Sequence, residues 1–108
     1  MALAITRTSQ IDLATLLQTP PTQRPFLLDV RTRDEFAAGH IPHAVNIPVD
    51  ELRSRLSEVP HGREIAAYCQ VGQRGYLATR ILRQAGLPAV NIGGGYKTYR
   101  LVHPQSND

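Results

Sequence analysis

The stretch EIAAYCQVGQRGYLATRIL, residues 64–82, decides the fold. It reads as a short apolar strand, Ile65 to Cys69, then a polar loop containing Gly72, then a helix that begins near Arg74. An apolar run without polar alternation suits a strand covered on both faces, as in a parallel sheet. On either side of it, short apolar runs keep alternating with helix-like stretches. Ala2 to Ile5, Phe26 to Val30, Val45 to Ile47 and Ala89 to Ile92 are the other strand candidates. This order predicts an α/β fold with a mainly parallel sheet of about five strands, flanked by helices on both faces.

The helix signals lie between those runs. Ser9 with Asp12 forms a capping pattern ahead of Leu13, Leu16 and Leu17, and Thr32 with Glu35 repeats it, with Gly39 closing that short helix. Val49, Leu52, Leu56 and Val59 recur at helical spacing. Leu77, Ile81, Leu82 and Ala85 form another apolar stripe that ends at Gly86. Pro20, Pro21 and Pro25 mark one loop, and Pro60 to Gly62 another, each too short for a domain linker. The final LVHPQSND, residues 101–108, loses the apolar pattern and is expected to fray.

Composition narrows the classes. At 108 residues, 42% hydrophobic and 19% charged, the chain fits one domain over 1–108, with a core over roughly residues 3–101. Its single cysteine excludes an internal disulfide and a multi-cysteine zinc site, and fits a reducing compartment. No apolar run reaches the ~20 residues of a membrane span, and Thr6, Arg7 and Ser9 break the short apolar start, so a cytoplasmic protein is expected. Of the 12 basic residues all but Lys97 are arginines, spread from Arg7 to Arg100. A net charge of +3 distributed in that way suggests a mild preference for small anions, with no nucleic-acid tract and no membrane patch.

Chemistry concentrates at Cys69. In open α/β sheets ligands bind beyond the carboxyl ends of strands, which is where this order of elements puts the thiol. A loop curling into a helix N-terminus turns backbone N–H groups inward, and the helix dipole favours an anion there, a thiolate included. Gly72 supplies the freedom for the curl, Arg74 adds charge and Gly75 permits close approach. The bland alternative, Cys69 as a small core hydrophobe, is weakened by the strand before it and the glycine-bearing loop after it. Cys69 therefore reads as an activated nucleophile.

Three motifs then resemble a known family. LLDVRTRDEFAAGHIPHAVNIP (27–48) is similar to the N-terminal signature of rhodanese (sulfurtransferase) domains, YCQVGQRGYLATRIL (68–82) to their active-site loop and helix, and GGGYKTY (93–99) to their C-terminal signature. The last two are especially similar to rhodanese domains associated with flavin-dependent CoA-disulfide reductases. The resemblance implies that Cys69 carries sulfur as a persulfide, and that Gln70, Val71, Gly72, Gln73 and Arg74 complete the loop whose amides hold it. It also implies a supporting polar cluster of Asp29, Arg31 and Glu35, for which an Arg31–Glu35 ion pair is the plain expectation. Such a cycle takes sulfur from a small anionic donor such as thiosulfate to a thiol or cyanide, without metal or organic cofactor. A protein acceptor also fits, and so does a relay or regulatory module acting with a partner protein or a flavoprotein disulfide reductase. Met1 and the tapering end suit a free-standing protein.

The sequence departs from the pattern at His43, where the family usually has glycine, and at Tyr99, where tryptophan often stands. Cysteine phosphatases place five residues between Cys and Arg; here only Gln70 to Gln73 intervene, a smaller ring that favours one sulfur over a phosphate. His40 and His43 make a weak metal pair without further ligands, and His40 instead suits packing beside the loop. His61 and His103 read as surface residues. GGGYKT fails as a phosphate loop because Tyr96 occupies a required glycine position, so the glycines are expected to turn beside the active loop, with Lys97 a candidate positive charge at its rim.

Overall fold

The computed structural model describes residues 10–103. In chain order the elements are β1 (Gln10–Ile11), α1 (Leu13–Gln18), a 3-10 turn at Pro21–Gln23, β2 (Phe26–Asp29), α2 (Arg33–Ala37), β3 (Val45–Asn46), α3 (Val49–Leu52), a 3-10 segment at Arg53–Glu58, β4 (Ile65–Tyr68), α4 (Gln73–Gln84), β5 (Ala89–Ile92) and α5 (Gly95–Val102). The strands form one sheet in the order β1-β5-β4-β2-β3, with every pairing parallel. β4 is central, aligned through Ala67 with Leu28 on one side and Asn91 on the other.

Alternation along β4 sorts the core into two layers, because successive side chains of a strand leave opposite faces. Ile65, Ala67 and Cys69 pack with Leu28, Val30, Leu52, Ala78, Ile81 and Leu82, beneath α3 and α4. Ala66 and Tyr68 face the other way, toward Leu13, Leu16, Tyr96 and Tyr99 of α1 and α5. Cys69 thus continues the strand's alternation one residue past its last ladder position, at the carboxyl edge of the sheet.

Several local expectations meet the structure differently. Among the described residues the first strand is Gln10–Ile11; the expected strand Ala2 to Ile5 and the capping residue Ser9 lie outside them. Asp12 caps α1, accepting from the Thr15 N–H at 2.9 Å. The capping box of α2 forms as read: Thr32 Oγ1 accepts from the Glu35 N–H at 3.2 Å, and Glu35 Oε1 from the Thr32 N–H at 2.9 Å. The stripe from Val49 to Val59 is no continuous helix; it tightens to 3-10 after Leu52 and leaves helical geometry at Arg55, burying Leu52 and Val59. In α4 the buried face is Gly75, Ala78, Thr79, Ile81 and Leu82, whereas Leu77 is exposed. Two residues past Gly75, Leu77 points about 200° around the helix from the glycine that meets the sheet. The tail does not fray at once, since Leu101 and Val102 complete α5 and His103 stacks on Tyr99 at 4.8 Å; the remainder of LVHPQSND lies outside the described residues. Among the described residues no helix is long and apolar enough to cross a membrane.

Candidate active site

Three segments meet around Cys69. The loop from Cys69 to Gly72 leaves the end of β4 and enters α4, with Gly72 in the N-cap position at φ +137°, a conformation open to glycine. The Gly72 N–H donates to Cys69 Sγ at 3.0 Å, so a backbone dipole is already aimed at the sulfur. Cys69 itself is 1% exposed and lies at the base of the loop. The first amides of α4 have no intrahelical acceptor, which concentrates positive potential at the same end.

The backbone of the loop is held from behind by α5. Tyr96 N–H donates to the Cys69 carbonyl at 2.8 Å, and Lys97 N–H to the Gln70 carbonyl at 3.0 Å. Glycine at position 95 permits that approach: it adopts φ +62°, and a Cβ there would collide with the Cys69 and Gln70 carbonyls. The expected turn of the triple glycine beside the loop is therefore what the structure contains.

The polar cluster pairs differently from expectation. Arg31 does not reach for Glu35; its guanidinium lies on Asp29, with Nη2 at 2.7 Å from Oδ2 and Nε at 3.0 Å from Oδ1. Both residues are buried, and two-residue spacing across the end of β2 lets one carboxylate meet both the Arg31 N–H and its side chain. Arg31 Nη2 also donates to the Gly39 carbonyl at 2.7 Å and Nη1 to Gln70 Oε1 at 3.3 Å, which ties the cluster to the loop. Its guanidinium lies over the Tyr96 ring, 4.3 Å from the centroid. Burial works against the Arg31 charge, but the hydrogen bond and attraction of Asp29 outweigh it and raise its pKa. Tyr68 donates no charge to this cluster: burial, and then Asp29, push its phenol well above the usual range, while its oxygen accepts from the Ile41 N–H at 3.1 Å.

Glu35 instead grips Arg74, at 2.7 and 3.0 Å in a two-pronged pair. Hydrogen bonding to Arg74, supported by Thr32, lowers the Glu35 pKa to about 2 against the opposing cost of burial. The Glu35 bond likewise raises Arg74. Arg74, expected to close the loop, instead lies in the first turn of α4, where it is a strut to α2 whose charge is already matched.

A family assignment follows from this arrangement together with sequence comparison. The sequence profile described as "Rhodanese-like domain" matches residues 9–101. The chain belongs to the rhodanese-like domain family. Over 95 residues it is 41% identical to an HTH-type transcriptional regulator of Mycobacterium tuberculosis, an alignment covering 85% of this chain and 42% of the regulator. It is 38% identical over 91 residues to the human thiosulfate:glutathione sulfurtransferase, covering 70% of this chain and 79% of that one. Among solved structures, the reduced Bacillus anthracis CoADR-RHD superposes with a TM-score of 0.81 at 34% identity, over 97% of this chain and 19% of that protein. The rhodanese-like chain therefore spans less than half of two of these relatives, 42% of the regulator and 19% of CoADR-RHD.

The remaining sequence candidates scatter. Val71 is exposed at the tip of the loop and Gln73 opens α4. His40 stacks on Phe36 at 3.7 Å and its Nδ1 sits 2.9 Å from the Phe36 carbonyl, the packing role expected of it. His43 adopts φ +73°, the left-handed conformation that accounts for a glycine preference at this turn. It lines a cavity of about 270 Å³ with Phe26 and Arg63, at the amino ends of the strands and away from Cys69. A second, shallow groove of about 310 Å³ lies beside the loop, lined by Val71, Gly72, Gln73, Tyr76, Asn91 and Gly94. Sequence reasoning passed over Asn91 and Tyr68; the signal available for Asn91 was a lone amide inside the apolar run Ala89 to Ile92.

Proposed function

We propose that this chain is a sulfurtransferase in which Cys69 carries sulfane sulfur as a persulfide. The observation that carries the reading is the Gly72 N–H aimed at Cys69 Sγ at 3.0 Å, at the carboxyl edge of the central strand and the amino end of α4. In the first half-reaction the Cys69 thiolate attacks the outer sulfur of thiosulfate; the S–S bond breaks, sulfite leaves with the electron pair, and Cys69–S–S⁻ remains. In the second, an acceptor thiolate or cyanide attacks the terminal sulfur and the Cys69 thiolate is regenerated. Neither step transfers a proton once the attacking groups are anionic, so no general base is needed in either. Stabilisation comes from amide dipoles that are in place before the reaction, which is where fixed donors act most strongly. The thiosulfate and thiol named for the human relative support this donor and acceptor class.

The second reading is a sulfur-relay or regulatory module that turns over poorly alone. The match to only part of a transcriptional regulator and of CoADR-RHD favours it. One experiment separates the two. Intact mass before and after thiosulfate, with cyanide-dependent thiocyanate release, is expected to show a gain of one sulfur atom and turnover for the native chain and neither for Cys69→Ala. Sulfur uptake without thiocyanate release would establish the relay reading, and no uptake would refute both.

A further inference from the structure

Asn91 sits in β5, 1% exposed, at a position where a parallel strand covered on both faces normally carries an apolar side chain. Its amide is only half satisfied. Nδ2 donates to the Gly72 carbonyl at 3.4 Å, whereas Oδ1 has no hydrogen-bond partner among the described residues. Burying an unpaired carbonyl oxygen is unfavourable, so an apolar residue of the same shape would serve the core better. Room for the amide comes from α4: a Cβ on Gly75 would overlap Asn91 Oδ1, and that same Cβ position lies 3.3 Å from the Cys69 N. Gly75 and Asn91 thus form one close contact that draws the amino end of α4 down onto the sheet.

We infer that Asn91 is a positioning residue for Cys69, acting through Gly72. This rests on the reading of Cys69 as the reacting group. Gly72 is the residue whose N–H meets the sulfur, and no side chain anchors it: a Cβ there would meet nothing within 4 Å. Its wide backbone freedom therefore has to be removed by hydrogen bonds. Two hold its carbonyl, the Tyr76 N–H at 2.9 Å from within α4 and Asn91 Nδ2 from the sheet. The Tyr76 bond fixes the Gly72 carbonyl relative to the helix, and the Asn91 bond ties it to β5. A planar trans peptide points its N–H opposite its C=O, so holding the Gly72 carbonyl toward Asn91 and Tyr76 also directs the Gln73 N–H out of the amino end of α4. Loss of the amide lets the loop donors rotate away from the sulfur while the helix and its apolar face persist.

The test is the pH dependence of iodoacetamide alkylation of Cys69, alongside sulfur uptake from thiosulfate, in the native chain, Asn91→Leu, Asn91→Ala and Asn91→Ser. Asn91→Leu is expected to keep its far-UV spectrum and melting cooperativity, yet raise the pH midpoint of alkylation by about one unit, corresponding to a roughly tenfold loss of thiolate preference. Sulfur loading should slow in parallel, and Asn91→Ser, which retains a shorter donor, should fall between. A folded Asn91→Leu with the native alkylation midpoint would overturn the inference. Should Asn91→Leu not fold, Asn91→Ala and Asn91→Ser are measured in its place: a raised midpoint supports the positioning role, and a native midpoint overturns it. Alkylation does not depend on sulfur transfer, so the two ideas fail separately. A native chain that takes up no sulfur but shows the Asn91 shift keeps the positioning role and loses the sulfurtransferase reading.

Discussion

Two buried polar sites press on the Cys69 loop from opposite neighbours of β4, and they are satisfied to opposite degrees. On the β2 side, the Arg31 guanidinium meets Asp29, the Gly39 carbonyl and Gln70, with the Tyr96 ring beneath it. On the β5 side, Asn91 gives one long hydrogen bond to Gly72, and its oxygen has no partner among the described residues. The first is a strut: ions removed from water persist only with nearly complete compensation, and breaking such a set leaves an isolated charge. The second is a contact the core would hold as readily with an apolar side chain. Fold stability is concentrated at Arg31, and adjustment of the sulfur's surroundings at Asn91.

The largest expected effect therefore comes from Arg31→Met, which strands Asp29 at 0% exposure. A loss of about 3 to 5 kcal/mol in urea denaturation is expected. The double change Asp29→Leu with Arg31→Met should cost clearly less than the sum of the single changes. Additivity instead would break the comparison, because it would mean that the two residues are not one unit.

Next in size is Glu35→Gln, which tests the strut between α2 and the first turn of α4. The Glu35 pKa is held at about 2, below its ordinary 4.5, chiefly by the Arg74 hydrogen bond. A carboxylate depressed on folding stabilises fully above its unfolded value and loses that contribution as pH falls through its folded value. Wild type should exceed Glu35→Gln in stability near neutral pH, and the two denaturation midpoints should converge between pH 4.5 and about 2. Parallel curves across that range would show that Arg74 does not discriminate the charged form.

Smaller still is the stability change of Asn91→Leu, since Gly72 keeps its Tyr76 partner and no new unpaired group is created. A near-native urea midpoint, within about 1 kcal/mol, is expected. A large loss would move Asn91 into the same class as Arg31. The smallest effect belongs to Arg33→Ala. Its pair with Glu51 is on the surface and Glu51 retains Arg55 at 2.8 Å, so no resolvable shift in melting is expected.

Much of this arrangement was legible in the chain. Residues 64–82 announce strand, loop and helix through their periodicity, and Thr32 with Glu35 announces a helix start, because those signals depend on neighbours along the sequence. The alternation of elements made a parallel sheet with Cys69 at its carboxyl edge the natural reading. Pairing choices were not legible. Arg31, Arg74, Asp29 and Glu35 offer several charge-compatible combinations, and an Arg31–Glu35 pair was as reasonable as any from sequence. Only the relative placement of β2, α2 and α4 gave Asp29 to Arg31 and Glu35 to Arg74. Asn91 likewise looked like an interruption in an apolar run until Gly75 and Gly72 were brought against it. Which local elements form, and where the thiol falls along the chain, follow from the order of residues, since propensity, capping and periodicity are short-range. Tertiary structure decided which partner each buried polar group meets, since those choices depend on distances between segments as many as 39 residues apart.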